Sequence, residues 1–279
     1  MNRPAKPAAV MIVGGTEAPA EAPDVLGRFV ELCGGPAAPI VVLTAASTVP
    51  DEVWDAYRPA FAAAGARACQ ALHVRTRDDA SAPATVAKLA EARGIFISGG
   101  DQKRLMALVG GTPLHDAIRT GVRQQGICIG GTSAGASALG VHMVTEGRAE
   151  FSPEKGAVAM GAGLGLLAQC IIDQHFSQRH RINRLLTLVA ANPDLAGIGV
   201  DEDTALVLAP DGAIDVVGPG AVTLVDGRHL QTNLADVGAG HIPLMLDVRV
   251  HVLPTGTALA RPPDVLLPLL QPVLAALNH

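Results

Sequence analysis

Aromatic side chains are nearly missing from this 279-residue chain, where five Phe, one Tyr and one Trp amount to 3%. The core must therefore be built from Ala, Val, Leu and Ile, a composition that suits helices packed on a buried parallel sheet. Cysteine is also scarce. Cys33, Cys69, Cys128 and Cys170 lie far apart in apolar segments, with no CxxC pair and without the density of a secreted disulfide scaffold. Buried thiols in a reducing, cytoplasmic compartment are expected.

Charged residues make up only 17% of the chain, and the 21 basic and 26 acidic side chains are interspersed to a net charge of −5. No run of Lys or Arg could track phosphates, so nucleic acid is not an expected partner. No long apolar run is present either. The uncharged stretch 156–172 comes nearest, but it is short and carries four glycines in its first ten residues, so no membrane span is expected. Arg3 and Lys6 precede an apolar stretch, and Ala18-Pro19-Ala20 imitates a cleavage site. Gly14-Gly15 and Glu17 interrupt that stretch too early for a signal core, and it reads as a first strand.

What is present is a repeating order of elements. Apolar runs bounded by glycine occur at 8–15, 39–46, 94–100 and 126–131, separated by stretches of helical spacing such as 51–65 and 80–93. This alternation predicts an α/β fold: a mostly parallel, doubly wound sheet with helices on both faces. Further strands are expected at 170–175 and 198–200, around a helix from about 181 to 191. Short runs at 205–209, 214–217 and 222–225 read as C-terminal β-hairpins on that sheet, and 263–277 as a closing helix broken by Pro268 and Pro272. With no repeat or low-complexity linker, residues 1–279 are expected to form a single domain.

The strongest chemical signal is Gly131-Thr132-Ser133-Ala134-Gly135, a GxSxG sequence between an apolar run and an Ala-rich stretch. Small flanking residues allow a sharp strand-to-helix turn that lifts the Ser133 hydroxyl clear of the sheet, with a helix N-terminus beneath it. A serine of ordinary pKa needs a base. Of nine histidines, His175 ends an apolar run within Asp173-Gln174-His175-Phe176, a position at the carboxyl edge of the sheet. Asp201, Glu202 and Asp203 follow another strand, and any of the three could orient the imidazole. The order serine, histidine, acid departs from the serine, acid, histidine order of α/β-hydrolases.

A second loop, Ser98-Gly99-Gly100-Asp101-Gln102, could present a backbone N–H to an oxyanion alongside the amide of Ala134. Arg179, Arg181 and Arg184 crowd beside His175, at the start of a helix where the dipole disfavours cations. That placement suggests carboxylate recognition.

The segments FISGGDQ (96–102), GGTSAGA (130–136), DQHFSQRHRINR (173–184) and GIGVDEDT (197–204), together with the opening VGGTE, resemble the cyanophycinase family in order and spacing. The resemblance implies a class I glutamine amidotransferase-like fold and a homodimer without metal or cofactor. It implies a serine exopeptidase acting on cyanophycin, a polyaspartate with arginine on each β-carboxyl, or on β-Asp-Arg oligomers, and releasing β-Asp-Arg dipeptides. It assigns catalysis to Ser133, His175 and Glu202, and substrate contacts to Gln102, Asp173, Gln174, Arg179, Arg181 and Arg184. With the oxyanion hole read at Gly100 and Ala134, these are the expected site residues. The loops at 45–50 and 146–153 depart from the family pattern. Two rival readings are an aspartyl dipeptidase of the same superfamily and a non-catalytic nucleotide-binding or ligand-sensing α/β protein using Val13-Gly14-Gly15-Thr16 as a phosphate loop. The latter lacks the third glycine of a dinucleotide fingerprint and a P-loop lysine.

Overall fold

The computed structural model describes residues 8–15, 23–147 and 151–276. The leader-like residues before position 8 and at 18–20, the end of the VGGTE run, part of the 146–153 loop and Leu277 fall outside them.

The first half of the chain alternates strands and helices. Strand β1 (Val10–Val13) leads to α1 (Pro23–Leu32), β2 (Ile40–Leu43), α2 (Pro50–Ala63) and β3 (Cys69–Leu72). Two short helices, α3 (Arg77–Ser81) and α4 (Pro83–Ala87), precede β4 (Gly94–Ile97), α5 (Gln102–Val109), α6 (Pro113–Gln125) and β5 (Cys128–Thr132). The expected helix at 80–93 is thus corrected to two pieces. Pro83 has no N–H to continue a helix and forces extended backbone on Ala82 (φ −66°, ψ 129°), while a Thr76 capping box starts the first piece upstream.

The second half is richer in strands. After a single turn of helix α7 (Ala134–Ser137) come β6 (His142–Gly147), β7 (Val158–Ala162), β8 (Cys170–Gln174), α8 (Ile182–Ala191), β9 (Ala196–Val200), β10 (Ala205–Leu208) and β11 (Ile214–Val217). Strands β12 (Ala221–Asp226), β13 (Gln231–Thr232), β14 (Met245–Leu246), β15 (Arg249–Pro254) and β16 (Ala258–Leu259) precede a final helix α9 (Leu267–Ala275).

Eight strands form the central sheet in the order β16-β11-β10-β1-β5-β4-β2-β3. Strands β1 to β5 run parallel, and β10, β11 and β16 extend the β1 edge antiparallel. The segments expected to join this sheet at 170–175, 198–200 and 222–225 do not. They form a second sheet of order β15-β12-β9-β8. The reason is pairing: β8 runs parallel to β9, and β12 antiparallel to it with Val222 opposite Val200, and neither joins the ladder of a strand of the first sheet.

Alternation along β1 divides the packing. Val10 and Ile12 face a large cluster that also contains Ile172, Ile198 and Leu224 of the second sheet, whereas Met11 and Val13 face a cluster beneath α1 and α2. Most of the scarce aromatic rings sit in or against that second cluster, while Phe176 packs elsewhere and Phe151 is exposed. Phe29, Tyr57, Phe61 and Phe96 meet with ring centroids 5.2–6.4 Å apart, several of them edge to face. Gly130 leaves room for them, since a Cβ there would lie 2.9 Å from the Phe29 and Phe96 rings. Because Phe96 is central to this group, Phe96→Ala is expected to lower unfolding free energy by about 3–5 kcal/mol in urea titrations. A loss under about 1 kcal/mol would show that the cluster is not a keystone of the core.

Candidate active site

Ser133 leaves β5 at a backbone conformation (φ 52°, ψ −113°) that residues with a side chain rarely adopt. The surroundings impose it. Its N–H donates to Val13 O at 3.1 Å, and Ser137 N–H returns to its carbonyl at 3.0 Å. The flanking glycines are sterically required, because a Cβ on Gly131 would lie 2.5 Å from Gly135 O, and one on Gly135 would lie 2.4 Å from Ile97 O. The helix expected beneath the serine is only α7, one turn long. Its macrodipole is correspondingly small, and individual N–H groups are what this turn offers an anion.

The chain reverses after β8 at His175, which also has a positive φ of 47°. The Ser133 hydroxyl lies 2.9 Å from His175 Nε2, and His175 Nδ1 lies 2.5 Å from Glu202 Oε1. The three carboxylates left open by sequence pattern occupy different places. Asp201 accepts the backbone N–H groups of Ser177 and Ala221 at 3.0 and 3.1 Å, Glu202 reaches the imidazole, and Asp203 donates its N–H to Gly15 O at 2.8 Å.

In the sequence Gly14 and Gly15 mark the end of a first strand and part of the VGGTE run, with no sign of a partner. Here they hold the relay. His175 N–H donates to Gly14 O at 2.6 Å, and Gly14 N–H donates to Thr204 O at 2.9 Å. Gly15 has φ 113°, and a Cβ there would come within 2.3 Å of His175 Cε1. The space that a phosphate cradle would need is filled by the imidazole. Positive φ with a ring packed on the α-carbon explains the glycine, although sequence alone carries no sign of that ring.

Burial lowers the His175 pKa below the ordinary imidazole value, and the nearby guanidiniums of Arg179 and Arg181 push the same way against the opposing Glu202. At neutral pH the ring is therefore neutral. With Nδ1–H donated to Glu202, the Nε2 lone pair faces the serine hydroxyl. The arrangement can take a proton from Ser133 and stabilise the resulting imidazolium.

The residues expected to contact substrate are placed unequally. Asp173 is fully buried and accepts Arg184 Nε at 2.8 Å, a second short contact from Arg184 Nη2, and Arg181 Nη1 at 3.4 Å. Gln174 is buried as well; its carbonyl oxygen and side-chain Oε1 both accept from Arg181 Nη1, the latter at 2.6 Å. Burial pushes the Arg181 pKa down to about 10. Gln102 donates to the carbonyls of Val144 and Thr145 at 2.8 and 3.2 Å, tying α5 to β6. Arg179 is exposed, and its guanidinium makes no side-chain hydrogen bond among the described residues. The Gly99-Gly100 loop lies against the serine, since a Cβ on Gly99 would stand 3.3 Å from Ser133 Cβ. Gly100 is confined at φ 138° beside Ala46 O. Among the described residues no group of three or more His, Cys, Asp or Glu side chains could hold a metal ion, and no helix is long and apolar enough to cross a membrane.

An α/β scaffold with a hydroxyl, an imidazole and a carboxylate in hydrogen-bonding sequence at a strand-to-helix turn has the geometry of a serine-dependent acyl-transfer enzyme. Comparison with known proteins narrows that class. Residues 10–216 match the model of peptidase family S51, and the chain belongs to that family. It is 38% identical over 249 residues to a cyanophycinase from a Nostoc species, covering 89% of this chain and 84% of that one. A cyanophycinase from Synechococcus elongatus is 39% identical over 248 residues, covering 88% and 77%. One from Geminocystis herdmanii is 38% identical, covering 88% and 91%. Among solved structures, a peptidase from an acI-B1 actinobacterium shares the fold with a TM-score of 0.64 at 24% identity, covering 92% of this chain and 98% of that one.

His175 Nε2 can accept the Ser133 proton only while the ring is neutral, so reactivity of the hydroxyl is expected to rise with pH through the His175 pKa. Labelling of Ser133 by a fluorophosphonate probe is expected to show an acid limb whose midpoint lies below about 6.5, the ordinary imidazole value. Arg179→Gln removes a cation that favours the neutral ring and is expected to move that midpoint upward. A midpoint that stays put in the variant would contradict this account of the site's electrostatics.

Proposed function

We propose that this protein is a cyanophycinase, a serine exopeptidase that hydrolyses cyanophycin to β-Asp-Arg dipeptides through an acyl-enzyme. The hydrogen-bonded series Ser133–His175–Glu202 carries the proposal, together with the shared identity to cyanophycinases over most of the chain. In the first step Ser133 Oγ bonds to the scissile carbonyl carbon while its proton passes to His175 Nε2. Glu202 stabilises the imidazolium. The oxyanion receives the N–H groups of Gly100 and Ala134, His175 returns the proton to the departing amine, and water repeats the sequence to free the enzyme.

The charge around the site suits this substrate, whose branches each carry a free carboxylate and a guanidinium. Three guanidiniums, of Arg179, Arg181 and Arg184, stand beside the carboxylates of Asp173 and Glu202. In this reading Arg179 meets a substrate carboxylate directly. Asp173 and Gln174 set the position of Arg181 and Arg184, and Gln102 the position of β6 beside the Gly99-Gly100 loop. The chain acts as a single cytoplasmic α/β domain of the class I glutamine amidotransferase-like, doubly wound type, a homodimer needing neither metal nor cofactor. The large apolar cluster shared by both sheets supports the single domain.

The test is product analysis after incubation with purified cyanophycin, with the α-aspartyl peptide Asp-Leu as the control. Release of β-Asp-Arg from the polymer, with Asp-Leu left intact, is the expected result. Cleavage of Asp-Leu alone would favour an aspartyl dipeptidase instead. Loss of one charge-assisted contact of about 1.5–3 kcal/mol predicts that Arg179→Ala lowers kcat/KM roughly 10- to 150-fold. Unchanged kinetics would make Arg179 a solvated surface cation.

A further inference from the structure

We propose that Asp51, His73 and Arg75 form a second binding site, which holds one zwitterionic arginyl branch of the polymer at a distance from the scissile bond. The proposal rests on the cyanophycinase reading above. It begins from a cluster that the relay does not use. Thr44 is fully buried, and its hydroxyl lies 2.9 Å from His73 Nδ1, which turns His73 Nε2 toward Asp51 Oδ1 at 3.6 Å. Arg75 Nη2 meets both oxygens of Asp51, at 2.9 and 2.7 Å. The backbone N–H of Arg75 is held by Asp79 Oδ2 at 2.9 Å. The Asp51 and Arg75 side chains nevertheless stay open to solvent, at 72% and 51% exposure, and an exposed ion pair of this kind adds little to stability.

Position connects this cluster with the nucleophile. Strands β5, β4, β2 and β3 are parallel neighbours, with Gly131 level with Ile97, Ile97 with Leu43 and Leu43 with Leu72. Ser133, Gly99, Thr44 and His73 therefore emerge along one carboxyl edge. Three strand spacings of about 4.8 Å separate the outer two, roughly 14 Å in all. An extended polymer backbone advancing about 3.5 Å per residue covers that span in about four residues. The ground between is fixed as well: Asp101 N–H donates to Ala46 O at 2.9 Å, and Arg104 Nε donates to Ser47 O at 3.1 Å.

The chemistry of the cluster mirrors that of the branch. Arg75 matches the branch carboxylate with its planar fork, and Asp51 accepts the branch guanidinium. With Nδ1 accepting from Thr44, His73 Nε2–H adds a donor for the same carboxylate. The internal Asp51–Arg75 pair is thus exchanged for two pairs with the ligand, and no charge is left unmatched.

A contact about four residues from the reacting bond benefits long substrates alone, through raised effective concentration. The test compares cleavage of oligomers of eight and of three β-Asp-Arg units by the wild type, Asp51→Asn and Arg75→Gln, with melting midpoints recorded. The expected result is a KM roughly five- to tenfold higher on the octamer, with kcat, trimer kinetics and midpoints unchanged. Unchanged octamer KM overturns the proposal. Equal losses on both lengths, with or without a lowered midpoint, also overturn it, because the residues would then act through the fold. If the wild type cleaves neither length, the cyanophycinase reading fails and this proposal with it; a wild type that cleaves both leaves only the second site in question.

Discussion

The contact between the His175 ring and the α-carbon of Gly15 governs the rest of the site. Ser133 leaves one sheet and His175 leaves another, so their 2.9 Å separation depends on how closely the two sheets approach. At the junction the end of β1 accepts the His175 N–H through Gly14 O and the Asp203 N–H through Gly15 O. A side chain at either glycine would intrude, since a Cβ on Gly14 would lie 1.9 Å from Asp201 O. The first strand thus positions the base and the acid-bearing turn together, though it supplies no reacting group.

The parallel half of the fold was legible because buried strands separated by helices leave apolar runs punctuated by glycine. Membership of the second sheet was not. The runs at 170–174 and 196–200 have the same local character as β1 to β5, and only their pairing with each other, and that of the second with β12, assigns them elsewhere. The expected helix at 80–93 failed for a local reason, Pro83, which the sequence displayed and the helical spacing concealed.

The site was legible in proportion to how local each signal is. Ser133 announces itself because the strand-to-helix turn demands small neighbours within two residues. Glu202 does not, because Asp201 and Asp203 offer the same chemistry and only the course of the backbone after β9 separates them; resemblance to a family selected it. The arginine cluster was found, but its internal pairing with Asp173 was hidden. The partners stand eight and eleven positions away, across the turn after β8, where no helical or strand periodicity links them. The buried carboxylate holds two arginines in place and leaves the third exposed to solvent.

Hydrolysis of cyanophycin by Ser133→Ala bears most directly on the hydroxyl as the attacking group. The relay account predicts that turnover falls by about 10⁴- to 10⁶-fold while the circular dichroism spectrum and melting midpoint stay those of the parent. Turnover at the parental rate by the folded variant would contradict it.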